Sequence, residues 1–319
     1  MNVFYRKLLP LLLLAGVGGV EAQAQPPKQA AQPLPALQAE IGRLQGALQK
    51  IVEATPEKAR GELTGLGQQL DLLRQQKSPS ALVYQLRNPF IEIELRAFIQ
   101  AHGDAGKDFS HLETLWTAEK ARFAPASRPA PAAPLLAALA EASENHAQKV
   151  YRAALPYGKA AGPGAGVYYL GEAEGNMAFH DFVARLTLPA AEKVPDAATL
   201  RSALESLEAE MQKGFAADPG GQELIQASAL LKEARELLER DFRAGAALTL
   251  LRSRLELSRH RKGGAAASAA SAAPAAEKAA EGSLIAPFAA MTTGEQDETA
   301  RIVRADVIPL YQSFFRKNK

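Results

Sequence analysis

The 319-residue chain contains no cysteine. Disulfide frameworks, cysteine-ligated zinc and thiol nucleophiles are therefore excluded, as is a bacterial lipoprotein anchor, which needs a cysteine to carry its acyl groups. Aromatic residues are scarce at 6%, with a single tryptophan, Trp116. Runs of β-branched residues are nearly absent, so strands have little to build from. Neither sign of charge dominates: 37 basic and 35 acidic residues leave a formal charge of +2. That balance exerts no global pull toward nucleic acid or an anionic membrane. No apolar run reaches the about 20 residues that cross a bilayer; Leu8–Val20, close to the N-terminus, stops at about 13.

What remains is helix-forming material. Alanine supplies about a fifth of the residues, leucine is the main large apolar residue, and Glu, Arg, Lys and Gln fill most polar positions. The fold class that follows is all-α: a multi-helix bundle of antiparallel helical hairpins joined by flexible Ala/Pro-rich linkers. Residues 1–24 read as a secretory signal peptide. Arg6 and Lys7 form its positive start, Leu8–Val20 its apolar segment, and Ala22-Gln23-Ala24 a small-x-small cleavage site. With cleavage near Ala24 the chain is expected in the periplasm or secreted, with no transmembrane span after processing.

Residues 25–35 are a polar, proline-bearing lead-in. Residues 36–123 are expected to form N-terminal helical hairpins. Leu34, Leu37, Ile41, Leu44, Leu48 and Ile51 recur at heptad spacing, and Leu63, Leu66, Leu70 and Leu73 resume it after Pro56. Each seam is under three heptads, and is either a dimerisation arm or the first helix pair of a globular bundle. Asn88-Pro89 is expected to break or kink the helix over Ser80–Ala101. Another helix, with Leu112, Leu115 and Trp116 on its apolar side, is expected over Asp108–Phe123. Residues 124–134 (PASRPAPAAP at its core) make an Ala/Pro linker, and residues 135–262 the central helical bundle.

Within that bundle a helix is expected over Leu135–Leu155, a Gly/Pro loop over Pro156–Gly166, and a helix over Ala197–Phe215 capped by Asp196. Asp218-Pro219-Gly220-Gly221 is a turn. Gln222–His260 then reads as two helices turning near Asp241, with small residues at Ala234, Ala244, Gly245 and Ala247. This pair loosely resembles one tetratricopeptide-type hairpin of about 34 residues. No second copy appears at that period, and a solenoid needs about three. Residues 263–282 are an Ala-rich, low-complexity linker expected to be disordered. Residues 283–319 return to apolar patterning and are expected to dock a C-terminal helix, interrupted by Pro309, on the body.

The chain is organised around Gly166–Leu186, its richest aromatic stretch. Val167, Tyr168, Leu170, Met177, Phe179, Phe182, Val183 and Leu186 cover more than half the circumference of a helix, as expected of one buried on several sides. Gly171 and Gly175 lie four apart, which predicts a close helix crossing. The remaining strip, Glu172, Asn176 and His180, is the candidate ligand-binding site; its alternative is a stripe that is solvated or hydrogen-bonded internally. A cluster could also arise if Glu144 or His146 faced Glu172 or His180. No His pair stands at i, i+4, no Glu-x-x-His motif exists, and no Gly-x-Ser-x-Gly or phosphate-cradling loop is present. No catalytic residue, metal ligand or cofactor is therefore assigned. The functional expectation is an exported scaffold or adaptor of the bacterial cell envelope, acting on an envelope protein partner without nucleic acid. The rival is a periplasmic bundle binding a small ligand or metal at the 172–176–180 strip.

Overall fold

Periodic leucines, alanine-rich surfaces and well-placed caps build helices throughout the computed structural model, which describes residues 33–124, 130–190, 192–263, 279–292 and 298–315. No strand occurs among the described residues, and the protein is an all-α multi-helix bundle. The expected signal segment, the core of the Ala/Pro linker and most of the Ala-rich linker lie outside the described residues.

Three helices come first: α1 (Pro33–Ala54), α2 (Gly61–Leu73) and α3 (Pro79–Ala101). The α1 heptad residues Leu37, Ile41, Leu44, Leu48 and Ile51 are all buried, packed with Leu63, Leu70 and Leu73 of α2 and with α3. The seam is thus used inside one chain. Ser78 caps α3 by accepting from the Ala81 N–H. Of the expected break or kink at Asn88-Pro89, the break does not occur: α3 runs on through Pro89. Asn88 is exposed there, while the flanking Leu86 and Phe90 are buried, Phe90 against Phe179 and Phe182. Core packing on both sides outweighs the missing proline N–H.

Helix α4 (Phe109–Glu119) is capped by Asp108, which accepts from the Ser110 N–H. Trp116 stacks on Tyr151 at 5.2 Å, and its Nε1–H donates to the Tyr151 carbonyl. The next two helices, α5 (Pro134–Ala161) and α6 (Pro163–Val183), form the most extensively packed hairpin of the bundle. The loop expected over Pro156–Gly166 is reduced to one residue. Gly162, at φ 99°, turns the chain, and α5 continues through Pro156 where Arg152, four residues earlier, is exposed. Only a residue tolerant of positive φ makes so abrupt a reversal. At the base of the turn a Cβ on Gly166 would stand 3.0 Å from the Ala154 carbonyl oxygen.

Glycine also sets the α3–α6 crossing. A Cβ on Gly175 would lie 2.7 Å from the Ile91 carbonyl oxygen, and one on Gly171 3.2 Å from that of Leu95. The expected close crossing is present, with α3 as the partner.

Helix α7 (Ala197–Ala217) starts at Asp196, whose carboxylate accepts from the Thr199 N–H at 2.9 Å. Helices α8 (Gln222–Glu239) and α9 (Arg243–Gly263) pair through a turn in which Asp241 takes φ 57°. The chain then crosses the bundle as a strap. Glu281 accepts from Ser78 Oγ and the Ser80 N–H at the start of α3, and the Gly282 carbonyl accepts from the Leu135 N–H at the start of α5. Short helices α10 (Ala286–Ala289), α11 (Glu298–Ile302) and α12 (Ile308–Ser313) follow, with a π-helical segment, Val303–Val307, joining the last two. This wide turn precedes Pro309, which has no N–H for an ordinary i→i−4 bond. Leu284, Phe288, Ile302, Val303 and Val307 are buried in the shared core.

Candidate functional site

Two apolar clusters meet along α3, α5 and α6. The larger takes Leu82–Ile93 side chains from α3, Leu135–Ala140 from α5, and Phe179, Phe182 and Val183 from α6. The smaller takes Phe98, then Ala147–Ala154, then Val167–Met177 from the same three helices. A polar layer lies along them: on α5 Ser143–His146 separate the two apolar runs, and on α6 Asn176 and His180 flank the change of cluster from Met177 to Phe179.

That layer contains the three residues singled out in the sequence. Glu172 is partly exposed, and its Oε1 lies 2.7 Å from His146 Nε2. Asn176 is 2% exposed; its Nδ2–H donates to the Glu172 carbonyl at 2.9 Å, and its Oδ1 accepts from Arg87. His180 is buried, with Nδ1 3.1 Å from Asp181 Oδ1 and Nε2 3.9 Å from Glu144 Oε2. The facing of Glu144 and His146 of α5 toward His180 and Glu172 of α6 is therefore realised, since the hairpin runs antiparallel about Gly162. The three side chains do not converge on one point: each meets a different partner along the helix.

Glu144 is the most connected carboxylate of the layer. Its Oε1 accepts from Gln148 Nε2 at 2.9 Å and stands 3.7 Å from Arg240 Nη2, while Arg240 Nη1 donates to Asn145 at 2.8 Å. Burial lowers the Arg240 pKa, and the Glu144 charge works against that shift. At the α4 end Arg122 joins Glu174 at 2.6 Å and Asp181 at 3.3 Å; burial still pushes the Glu174 carboxyl up despite the guanidinium. Buried polar groups require partners of this kind, and together they fix the register of the α5–α6 hairpin. Among the described residues, no group of three or more His, Asp or Glu side chains is arranged to hold a metal ion.

Two features were not assigned to a site from the sequence. Arg87 reaches from α3 into the layer and donates to Ser143 Oγ and Asn176 Oδ1. Its only sequence signal is an arginine beside the buried positions Val83, Leu86 and Phe90. The second feature is a tyrosine patch near the α5–α6 turn. Tyr157 stacks on Tyr169 at 4.5 Å, and Tyr168 meets Tyr169 edge-on at 6.1 Å. Tyr168, expected on the apolar face, is instead 47% exposed, and Tyr157 is 49% exposed. The hydrogen bond with Tyr157 pushes the Tyr169 phenol pKa up; burial and the Glu172 charge do the same to Tyr168. The aromatic density around Tyr168-Tyr169 was visible in the sequence, but its outward orientation depends on helix rotation.

An open cleft of about 430 Å³ lies elsewhere, lined by Gln69, Leu72, Leu73, Gln75, Gln76 and Gln85. No described helix is long and apolar enough to cross a membrane. Compared with protein-family models, with curated proteins and with solved structures, the chain matches none of them.

Proposed function

We propose that this chain is an exported helical scaffold or adaptor of the bacterial cell envelope that binds another protein through a helical surface. One observation supports the reading above others. In a chain poor in aromatics, three of the seven tyrosines gather beside the α5–α6 turn, with two of their rings about half exposed. Tyrosine is enriched where proteins meet, because it offers a large rigid ring and a polar tip at low entropic cost. Export is supported by the signal-like Met1–Ala24 segment alone.

The test is affinity capture from the native host, comparing the parent chain with a Tyr157→Ser/Tyr168→Ser variant whose helical circular dichroism is unchanged. A stoichiometric envelope partner held by the parent and lost from the variant is the expected result. A solitary parent protein counts against the adaptor role.

The second reading is a small ligand or metal bound at the 172–176–180 strip, favoured by the partly open His146–Glu172 pair. Metal analysis and thermal shift of the purified chain test it. Absence of bound metal, with no binding lost in Glu172→Ala or His180→Ala, removes it.

A further inference from the structure

The tyrosine patch differs from the other exposed apolar side chains in being continuous. Leu72, Ile225 and Phe315 stand in separate parts of the chain, as scattered surface apolar residues do. Tyr157 and Tyr168 are instead joined through Tyr169, by ring contacts of 4.5 and 6.1 Å.

The patch also has a charged border. Tyr168 and Glu172 stand four apart on α6, a spacing that makes their side chains neighbours on the helix surface. Alongside runs α3, whose backbone at Ile91 and Leu95 is held against α6 by the glycine crossing, and the charges of Glu92 and Arg96 reach Tyr168. Arg96 is already shared, 2.7 Å from Glu92 and 2.9 Å from Glu62 of α2. Glu172 engages His146 through Oε1, while its Oε2 has no hydrogen-bond partner among the described residues. Three carboxylates against one guanidinium leave this border with an excess of two negative charges while His146 is neutral. The other cations of α5 are directed elsewhere. Lys149 pairs with Glu236 of α8, and Lys159 lies over the Phe109 ring at 5.6 Å. Arg152 is two turns on from Asn145, on the face that meets Arg240.

Exposed tyrosine rings beside unbalanced carboxylates suit a cation, and a guanidinium above all. Its flat face stacks on the negative face of the ring, while its N–H fork donates to a carboxylate. The bundle uses the ring contact internally, with Arg240 over Phe242 at 4.3 Å and Arg43 over Phe90 at 5.5 Å. Among the described residues no cation lies over Tyr157, Tyr168 or Tyr169.

We propose that the partner of this face presents a basic segment, one arginine of which stacks on Tyr168 and donates to Glu172 Oε2. Glu92 and Glu62 supply the surrounding negative field. The inference rests on the adaptor reading and adds the chemistry of its partner. Complementary charge of this kind selects among partners and makes association sensitive to salt.

The test is fluorescence anisotropy of a labelled alternating alanine–arginine peptide titrated with the purified chain, beside alanine–glutamine and alanine–glutamate peptides of equal length. The expected result is saturable binding of the arginine peptide alone, weakened progressively by sodium chloride. Glu172→Gln keeps a hydrogen-bonding group for His146, and Tyr168→Leu keeps apolar bulk without the ring face. Each should raise Kd about twofold to fivefold, the scale of a part-exposed ion pair or cation–ring contact, with helical circular dichroism unchanged. Two results overturn the proposal: an arginine peptide bound no more tightly than the glutamine peptide, or binding that neither substitution weakens. Capture from the native host separates this inference from the adaptor reading. A partner lost from Tyr157→Ser/Tyr168→Ser but held undiminished by Glu172→Gln refutes the basic segment and leaves the adaptor role standing. A solitary parent that still binds the arginine peptide removes the adaptor role and leaves the patch as a cation-binding surface.

Discussion

Glu141 shows burial and hydrogen bonding competing at one side chain. Its Oε2 accepts from the Gly245 N–H at 2.7 Å, so a carboxylate on α5 caps the first turn of α9. The N–H groups of Gly245 and Ala244 favour the charged form, yet burial prevails and raises the pKa from 4.5 to about 7. The folded state therefore binds this proton more tightly than the unfolded state. The associated stability is fully present below about pH 4.5 and is lost as pH rises to about 7. Glu141→Gln keeps an acceptor for Gly245 but cannot ionise. The variant is expected to match the parent in Tm near pH 4 and to exceed it above pH 7; a parent-minus-variant difference that does not change with pH would refute this. Gly175 makes a steric argument of the same kind. A methyl group there meets the Ile91 backbone oxygen at 2.7 Å, and backbone cannot rotate away. Gly175→Ala should cost about 1–3 kcal/mol in urea unfolding, as overpacking does, whereas Gly46→Ala, with open space around it, should not destabilise.

Helices α1 and α2 carry a leucine seam that serves equally well between chains or within one. The periodicity of Leu37, Ile41, Leu44, Leu48 and Ile51 was plain in the sequence, but its partner was not, because a heptad pattern specifies a stripe and not what covers it. In the fold α3 and α2 cover it, leaving Leu44 with no exposed surface. Leu44→Ala is therefore expected to lower stability by about 2–5 kcal/mol, the range for emptying a packed leucine site. The parent Tm should not depend on protein concentration through this seam; a concentration-dependent Tm abolished by Leu44→Ala would instead place the seam between chains. Similar limits applied at the prolines. Pro89 and Pro156 looked like breaks because local sterics disfavour a helix around them, yet both lie inside helices, Pro89 between the buried Leu86 and Phe90 and Pro156 on an exposed stretch of α5.

At the level of the whole molecule, the C-terminal segment is a structural part of the bundle. Glu281 and Gly282 tie the starts of α3 and α5 together, and the segment adds Leu284, Phe288, Ile302, Val303 and Val307 to the core. Asp306 is clamped by Arg254 and Arg261, each at 3.2 Å, and Tyr311 is hydrogen-bonded to Glu192. Deleting residues 279–319 should lower Tm by more than any single core truncation and expose surface that binds an apolar dye; a truncated chain that unfolds as cooperatively and as late as the parent would show the segment to be dispensable. The sequence by itself determined the helical class, most helix starts and stops, and the identity of the apolar faces, because propensity, capping and periodicity act over a few residues. It also marked Glu172, Asn176 and His180 as polar positions on an otherwise apolar helix, since their spacing of four needs no tertiary information. Which partners they meet was decided only by the tertiary structure. The single-residue turn at Gly162 sets the register that brings His146 to Glu172, and the glycine crossing with α3 brings Arg87 to Asn176. The same packing rotates Tyr157 and Tyr168 outward. Such juxtapositions join residues far apart in the chain, and no local pattern encodes them.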